Sequence, residues 1–220
     1  MAEVVVLACG PARWPESELV PVIAVPPRPR SGVLDRTLDS LNGRRLVVCG
    51  CDADLAAVLL RLLRTEALTT VVVGYVPVGA PSAVARLWGL PAAPAAAASL
   101  ALDGVPERVP LVRDDAGGVL AGRGVVAPVE GVLYCDDAVL LRGRAARLEV
   151  TPDRASGLAV RVSRGRLLGG LGFARQATGR AVQLGCHPTT AWRDGVACPI
   201  NDRWTWYRHT EDWHLVCHSR

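Results

Sequence analysis

Residues 45–76, RLVVCGCDADLAAVLLRLLRTEALTTVVVGYV, decide the fold. Residues 45–50 (RLVVCG) are a short apolar run of strand length that ends on glycine. Residues 55–64 (LAAVLLRLLR) read as a helix, and Asp54 stands where an N-cap would accept a hydrogen bond from the first turn. Residues 69–76 (TTVVVGYV) are rich in β-branched side chains and read as a second strand. Strand, helix and strand in this order argue for a parallel sheet covered by helices.

The pattern extends in both directions. Upstream, residues 4–9 and 19–25 are strand-like, and the second run ends in the turn PPRPRSG. Residues 33–41 carry helical periodicity that stops at Asn42-Gly43. Downstream, residues 81–89 read as a helix with Pro in its first turn and Gly after its end. Residues 94–102 form an Ala-rich helix closed by Asp103-Gly104. After Asp115 the grammar changes. Residues 117–124 are Gly-rich and loop-like, and short strands follow at 131–134, 138–141, 146–150, 158–162 and 180–184. The expected architecture is therefore α/β with two lobes. Residues 1–115 make an α/β nucleotide-binding-like lobe on a parallel sheet, and residues 116–220 make a β-rich, sandwich-like lobe. Trp204-Thr205-Trp206-Tyr207 reads as a strand with alternating faces, and packing of the β lobe is the expected use of the late tryptophans.

Bulk composition removes several classes of function. Half of the 220 residues are hydrophobic, which excludes a mainly disordered chain. Lysine is absent, the net charge is only +4, and the arginines are scattered, so no nucleic-acid footprint is present. The 7 cysteines include no CxxC pair, which argues against a disulfide framework or a metal site. The opening MAEVVVLACGPARWPESE has no basic start and too short an apolar run for a signal peptide. Thr, Gly and Pro break the apolar stretch 68–85, so no transmembrane segment is expected. The expected location is cytoplasmic.

The turn Gly50-Cys51-Asp52-Ala53-Asp54 leads from a strand into a helix. Free backbone N–H groups and the helix dipole make such a turn a potential phosphate cradle. Residues 73–115, VGYVPVGAPSAVARLWGLPAAPAAAASLALDGVPERVPLVRDD, set that turn in context. They resemble the corresponding stretch of bacterial diacylglycerol kinases and related lipid kinases. There, P-L-G-T-x-N-D-x-A-R follows a strand, then L-G-x-P, an Ala-rich helix, and a strand after D-G. Pro77, Gly79, Ala85, Arg86, Leu87, Gly89, Pro91, Asp103 and Gly104 stand in matching places. The resemblance runs over roughly residues 19–200. It implies a nucleotide lobe followed by a β-rich lobe, with the site in the cleft. It also implies ATP-dependent phosphoryl transfer to a hydroxyl of a lipid or small-molecule acceptor, with Mg²⁺ on the phosphates. The turn falls where that family has G-G-D-G-T, so Gly50, Asp52 and Asp54 are the implied nucleotide-site residues, with Gly79 and Ser82 from the later segment. Residues 179–199, GRAVQLGCHPTTAWRDGVACP, resemble the region of the family's D-G-E, which puts Asp194 in the place of the general base.

The departures from the pattern are as informative. Cys51, Ala53 and Asp54 replace Gly, Gly and Thr of the turn. Ala80, Ser82 and Ala83 replace the Thr, Asn and Asp of G-T-x-N-D, and Val196 replaces the Glu of D-G-E. Side chains at 51 and 53 crowd a backbone that must approach phosphate, and Asp54 adds negative charge there. Activity is therefore expected to be impaired. One alternative is a non-catalytic homologue acting as a ligand-binding or protein-interaction module. Another is an NAD kinase-like activity, because NAD kinases share the G-G-D-G turn. By residue type alone, Asp54 can simply cap a helix and Asp194-Gly195 can simply turn a hairpin. A homodimer is expected if two or three of Trp204, Trp206, Tyr207 and Trp213 remain exposed on one face.

Overall fold

The computed structural model describes residues 4–15, 20–39, 41, 43, 45–79, 81–164 and 174–218. It divides into two compact units. One comprises Met1–Val109 with Glu211–Arg220, and the other comprises Pro110–Thr210.

The first unit follows the expected alternation. Its elements are β1 (Val4–Cys9), β2 (Val22–Val25), α1 (Ser31–Asp39), β3 (Arg45–Gly50), α2 (Asp52–Arg64), β4 (Val72–Pro77), α3 (Ala83–Trp88) and α4 (Pro94–Asp103), followed by the start of β5 (Pro106–Asp114). The sheet order β2-β1-β3-β4 is parallel throughout. Its central strands have both faces covered: Leu46, Val47, Val48 and Cys49 are all fully buried. That is why they read as unbroken apolar runs rather than alternating ones. The chain leaves β1 toward β2 on one side and reaches β3 on the other. The order therefore reverses between β1 and β3, the position where open α/β sheets bind ligands beyond their strand ends.

The Ala-rich segment has a packing reason. A Cβ on Gly74 of β4 would lie 2.9 Å from the Ala101 Cβ, so α4 rests almost directly on the strand. Ala97, Ala98 and Ala101 are each about 1% exposed. Arg45 fixes the far end of α4 by donating to the carbonyls of Ala101 (3.0 Å), Leu102 and Gly104 (3.0 Å). A cation on the last carbonyls of a helix also complements its dipole.

The second unit contains the end of β5, then β6 (Val119–Leu120), β7 (Gly124–Val126), β8 (Val129–Cys135), β9 (Ala138–Ala145), β10 (Arg147–Asp153), β11 (Gly157–Ser163), β12 (Ala174–Gly179), β13 (Ala181–Cys186), β14 (Thr189–Arg193), β15 (Val196–Ile200) and most of β16 (Arg203–Val216). One antiparallel layer runs β16-β13-β8-β9 and the other runs β12-β11-β10-β7-β14-β15. One core fills the space between them, with Leu133, Leu141, Val182, Leu184, Trp204 and Trp206 from one layer and Val126, Leu148, Val150, Leu158 and Val160 from the other. This is the sandwich arrangement expected for the β-rich lobe. The last residues of β16 return to the first unit, where His214 and Leu215 pair in parallel with Val72 and Val73 of β4.

Three sequence expectations change. Residues 117–124, read as loop, hold β6 and the first residue of β7. The helix expected at 55–64 begins at Asp52, so Asp54 is not its N-cap. The helix expected from Pro81 begins at Ala83, with Ser82 as N-cap and Gly89 closing it in a left-handed conformation at φ 67°. Leu19, Asn42 and Ala80 lie outside the described residues. Trp204, Trp206 and Trp213 are 4, 0 and 2% exposed, so they are core residues and form no exposed aromatic patch.

Candidate functional site

The turn after β3 sits at the reversal of strand order, and two carboxylates organise it. Cys51 is the extended N-cap of α2, at φ −88° and ψ 170°. Three residues on, Asp54 turns its carboxylate back, and Oδ2 accepts the Cys51 N–H at 2.8 Å. That is the acidic half of a capping box. Its other oxygen, Oδ1, accepts the Arg28 N–H at 2.6 Å. Arg28 has φ 50°, so this bond holds a left-handed residue of the β2–α1 loop against the α2 N-terminus. Asp54 is only 3% exposed. Gly50 makes room for it, because a Cβ there would lie 2.6 Å from Asp54 Oδ2 and 3.0 Å from the Cys9 Cβ. The single glycine of the turn thus accommodates the protein's own carboxylate.

Asp52 makes a second knot. Oδ1 accepts the Tyr75 hydroxyl at 2.9 Å and the Ser82 hydroxyl at 2.5 Å. Oδ2 accepts the Ala83 N–H at 2.7 Å and the Val84 N–H at 3.4 Å. The Ser82 oxygen meanwhile accepts the Ala85 N–H at 2.9 Å, closing the first turn of α3. The Tyr75 hydroxyl also lies 3.1 Å from the Gly50 carbonyl, and the Val78 N–H donates to that same carbonyl at 2.9 Å. Burial, with the Asp52 charge adding to it, pushes the Tyr75 hydroxyl well above its ordinary range, so it is a fixed donor. Gly50, Asp52, Asp54 and Ser82 are therefore joined through one hydrogen-bonded turn. Gly79 follows β4 at φ 92°, with open space around its Cα.

What remains for an anion is limited. The N–H groups of Asp52 and Ala53 find no backbone acceptor among the described residues and are what the first turn of α2 can offer. Three thiols surround the turn. Burial, then the Asp54 charge, pushes Cys9 up to about 12, and burial pushes Cys49 up to about 11. Cys51 is exposed, yet its thiol is raised by partial burial and by its hydrogen bond with Asp54. These are protonated thiols rather than ready ligands. Among the described residues no group of three or more His, Cys, Asp or Glu side chains is placed to hold a metal ion. Mg²⁺ needs free carboxylate oxygens beside the phosphates, and those of Asp52 and Asp54 already accept from the protein, so the residues of the turn do not fit that ion.

Asp194 belongs to the second unit. With Gly195 it forms the two-residue turn between β14 and β15, at φ 49° and 85°, the conformation a tight hairpin requires. Its carboxylate accepts the N–H groups of Ala121, Gly122 and Arg123, each at 2.8 Å. Next to it Arg193 donates to Asp114 at 2.5 Å, and Asp114 is fully buried. Burial works to lower the Arg193 guanidinium, but the hydrogen bond and charge of Asp114 outweigh it and hold the group above its ordinary value. Asp114 also accepts the Gly118 N–H at 2.8 Å, and the 114–123 segment is pinned at two points, to Arg193 at the end of β14 and to Asp194 in the turn after it.

Sequence reasoning missed Arg28 and Tyr75. Nothing in PPRPRSG announces that a backbone N–H will reach residue 54. Tyr75 was legible, because a hydroxyl inside a buried strand must find a partner.

No protein-family model matches this sequence, and no curated protein is a significant sequence match to it. Solved structures do match. The chain is similar to a diacylglycerol kinase from Bacillus anthracis str. Sterne at 12% identity and a TM-score of 0.68, covering 98% of this chain and 97% of that one. It is also similar to an NAD kinase from Archaeoglobus fulgidus, solved in complex with ATP, at 12% identity and a TM-score of 0.56, covering 98% and 93%.

Proposed function

We propose that this chain, which has the fold seen in those kinase structures, is a diacylglycerol kinase-like protein whose phosphoryl transfer from ATP to a lipid or small-molecule hydroxyl is impaired. The observation that carries the reading is the use of Asp52 and Asp54. In this reading nucleotide phosphates would arrive at the strand-to-helix turn after β3, and the carboxylates of that turn are spent on Arg28, Cys51, Tyr75, Ser82 and Ala83. A phosphate approaching α2 meets the N–H groups of Asp52 and Ala53 together with two negative charges. Those charges oppose it. Gly79, with open space at its Cα, is the second contact offered to a nucleotide. All seven cysteines are thiols rather than disulfides, which suits a reducing, ATP-containing compartment such as the cytoplasm.

The position of Asp194 favours a second reading, a non-catalytic homologue that binds a ligand or partner. A general base must present a lone pair to the acceptor hydroxyl. Three backbone N–H groups already occupy this carboxylate, which leaves little of it free. An assay with labelled ATP and diacylglycerol in mixed micelles separates the readings. Slow transfer that disappears in Asp194→Asn supports the impaired kinase. Transfer at background in both chains supports the non-catalytic homologue. Transfer at rates typical of kinases would contradict both.

A further inference from the structure

A cavity of about 340 Å³ opens on the second unit, bounded by the start of β8, the end of β9 and the loop between β13 and β14. It has no part in the kinase reading. The volume falls at the lower end of the range that small-molecule sites occupy. Pro128 and Pro188 give it rigid apolar rims, and Glu130, Arg144, His187 and Thr189 are its polar lining.

Glu130 and Arg144 are direct cross-strand partners, and Arg144 Nε lies 2.8 Å from Glu130 Oε2 in an exposed ion pair. The His187 N–H donates to the Glu130 carbonyl at 3.2 Å, and the Thr189 hydroxyl reaches the Pro128 carbonyl at 3.5 Å. Beside the cavity, a Cβ on Gly131 would lie 2.0 Å from the Gly185 carbonyl oxygen, so β8 and β13 pack without slack. Two donor sets remain. Neither the Arg144 Nη groups nor the His187 ring makes a hydrogen bond among the described residues. Glu130 sits against Arg144 at Nε, which leaves the Nη edge of the exposed guanidinium for a ligand. The surroundings favour an anion, since residues 110–210 carry 14 arginines against 9 acidic residues.

We infer that this cavity binds a small phosphate monoester with a short apolar body. The Arg144 Nη edge takes two phosphate oxygens and the His187 ring takes the third, while the body lies between Pro128 and Pro188. A carboxylate has no third oxygen, so it would have to reach His187 with an oxygen already shared with the guanidinium. Glu130 is the positioning residue for Arg144.

The chain has 4 histidines, so their ring resonances can be followed one by one in the full-length protein. Titration with phenyl phosphate is expected to give a saturable shift of a single ring, identified as His187 by its loss in His187→Ala. Benzoate and inorganic phosphate are expected to bind more weakly. Arg144→Met should lower the phenyl phosphate affinity about tenfold or more, the loss of a bidentate charged contact. Arg144 and His187 are both exposed, so these variants should melt like the parent chain. Absence of a saturable His187 shift would overturn the inference. So would an unchanged affinity in a normally melting Arg144→Met chain, or equal affinity for all three probes. No nucleotide enters the experiment, so its outcome is independent of the kinase reading.

Discussion

At Asp54 one carboxylate serves two backbone donors, Arg28 and Cys51, with almost no contact with water. Removing it leaves two N–H groups without their charged acceptor. Asp54→Ala is therefore expected to cost about 2–4 kcal/mol, read from urea melts. Asp54→Asn, which keeps an acceptor oxygen, should cost less. A neutral Asp54→Ala would mean the turn does not depend on the carboxylate. The sequence located this residue at the helix start but placed it as the cap. A DxD pair offers two acidic capping candidates within one turn, and composition alone does not reveal that the cap itself is a cysteine. The thiols beside it give a pH prediction. Cys9 and Cys49 ionise near 12 and 11 in the folded chain, against an ordinary value of 9.0. Above pH 9 the unfolded chain releases protons that the folded chain retains. Stability is thus full below pH 9 and falls as pH rises, by about 1.4 kcal/mol per pH unit for each thiol, up to about pH 11 for Cys49 and about 12 for Cys9. Urea melts across that window should show the decline, and Cys9→Ala with Cys49→Ala should make it shallower, Tyr75 and the other raised thiols supplying the rest. Equal slopes in both chains would remove these thiols as the cause.

Elements were legible where burial is strong and continuous. The β1, β3 and β4 runs and the helices α2 and α4 were all located from local pattern, because two-sided burial of parallel strands and one-sided burial of helices leave different apolar spacings. Short or interrupted strands were hard to read from local pattern. β5, with Pro106 and Pro110, was implied only by the resemblance as a strand after Asp103-Gly104, and β6 has only two residues, too few for any periodicity. The DG turn at Asp194 was readable as a hairpin signal, but its strands β14 and β15 were not marked. The Ala-rich helix makes the contact of α4 with β4 testable. Gly74→Ala forces a methyl against Ala101 and Val47 and is expected to cost about 1–3 kcal/mol, seen as a lowered melting temperature. An unchanged melting temperature would show that α4 can move away from β4 at little cost.

Across the whole molecule, the strand-helix alternation followed by short strands gave the two-part α/β and β-rich architecture, and the solved kinase structures share it. The return of β16 to the first sheet could not be read, because pairing over such a sequence distance leaves no local mark. Trp204, Trp206 and Trp213 proved to be core, so association through these three has no surface to use, whereas Trp192 is 47% exposed. On the proposed reading, the turn at which nucleotide phosphates would arrive is filled by its own carboxylates. Calorimetric titration of the full chain with ATP, with and without Mg²⁺, tests it most directly. The turn geometry predicts no saturable heat at micromolar ATP. Cys51→Gly with Ala53→Gly, leaving Asp54 in place, should improve affinity only modestly, because the Asp52 and Asp54 charges remain. Micromolar ATP binding by the unmodified chain would contradict the account.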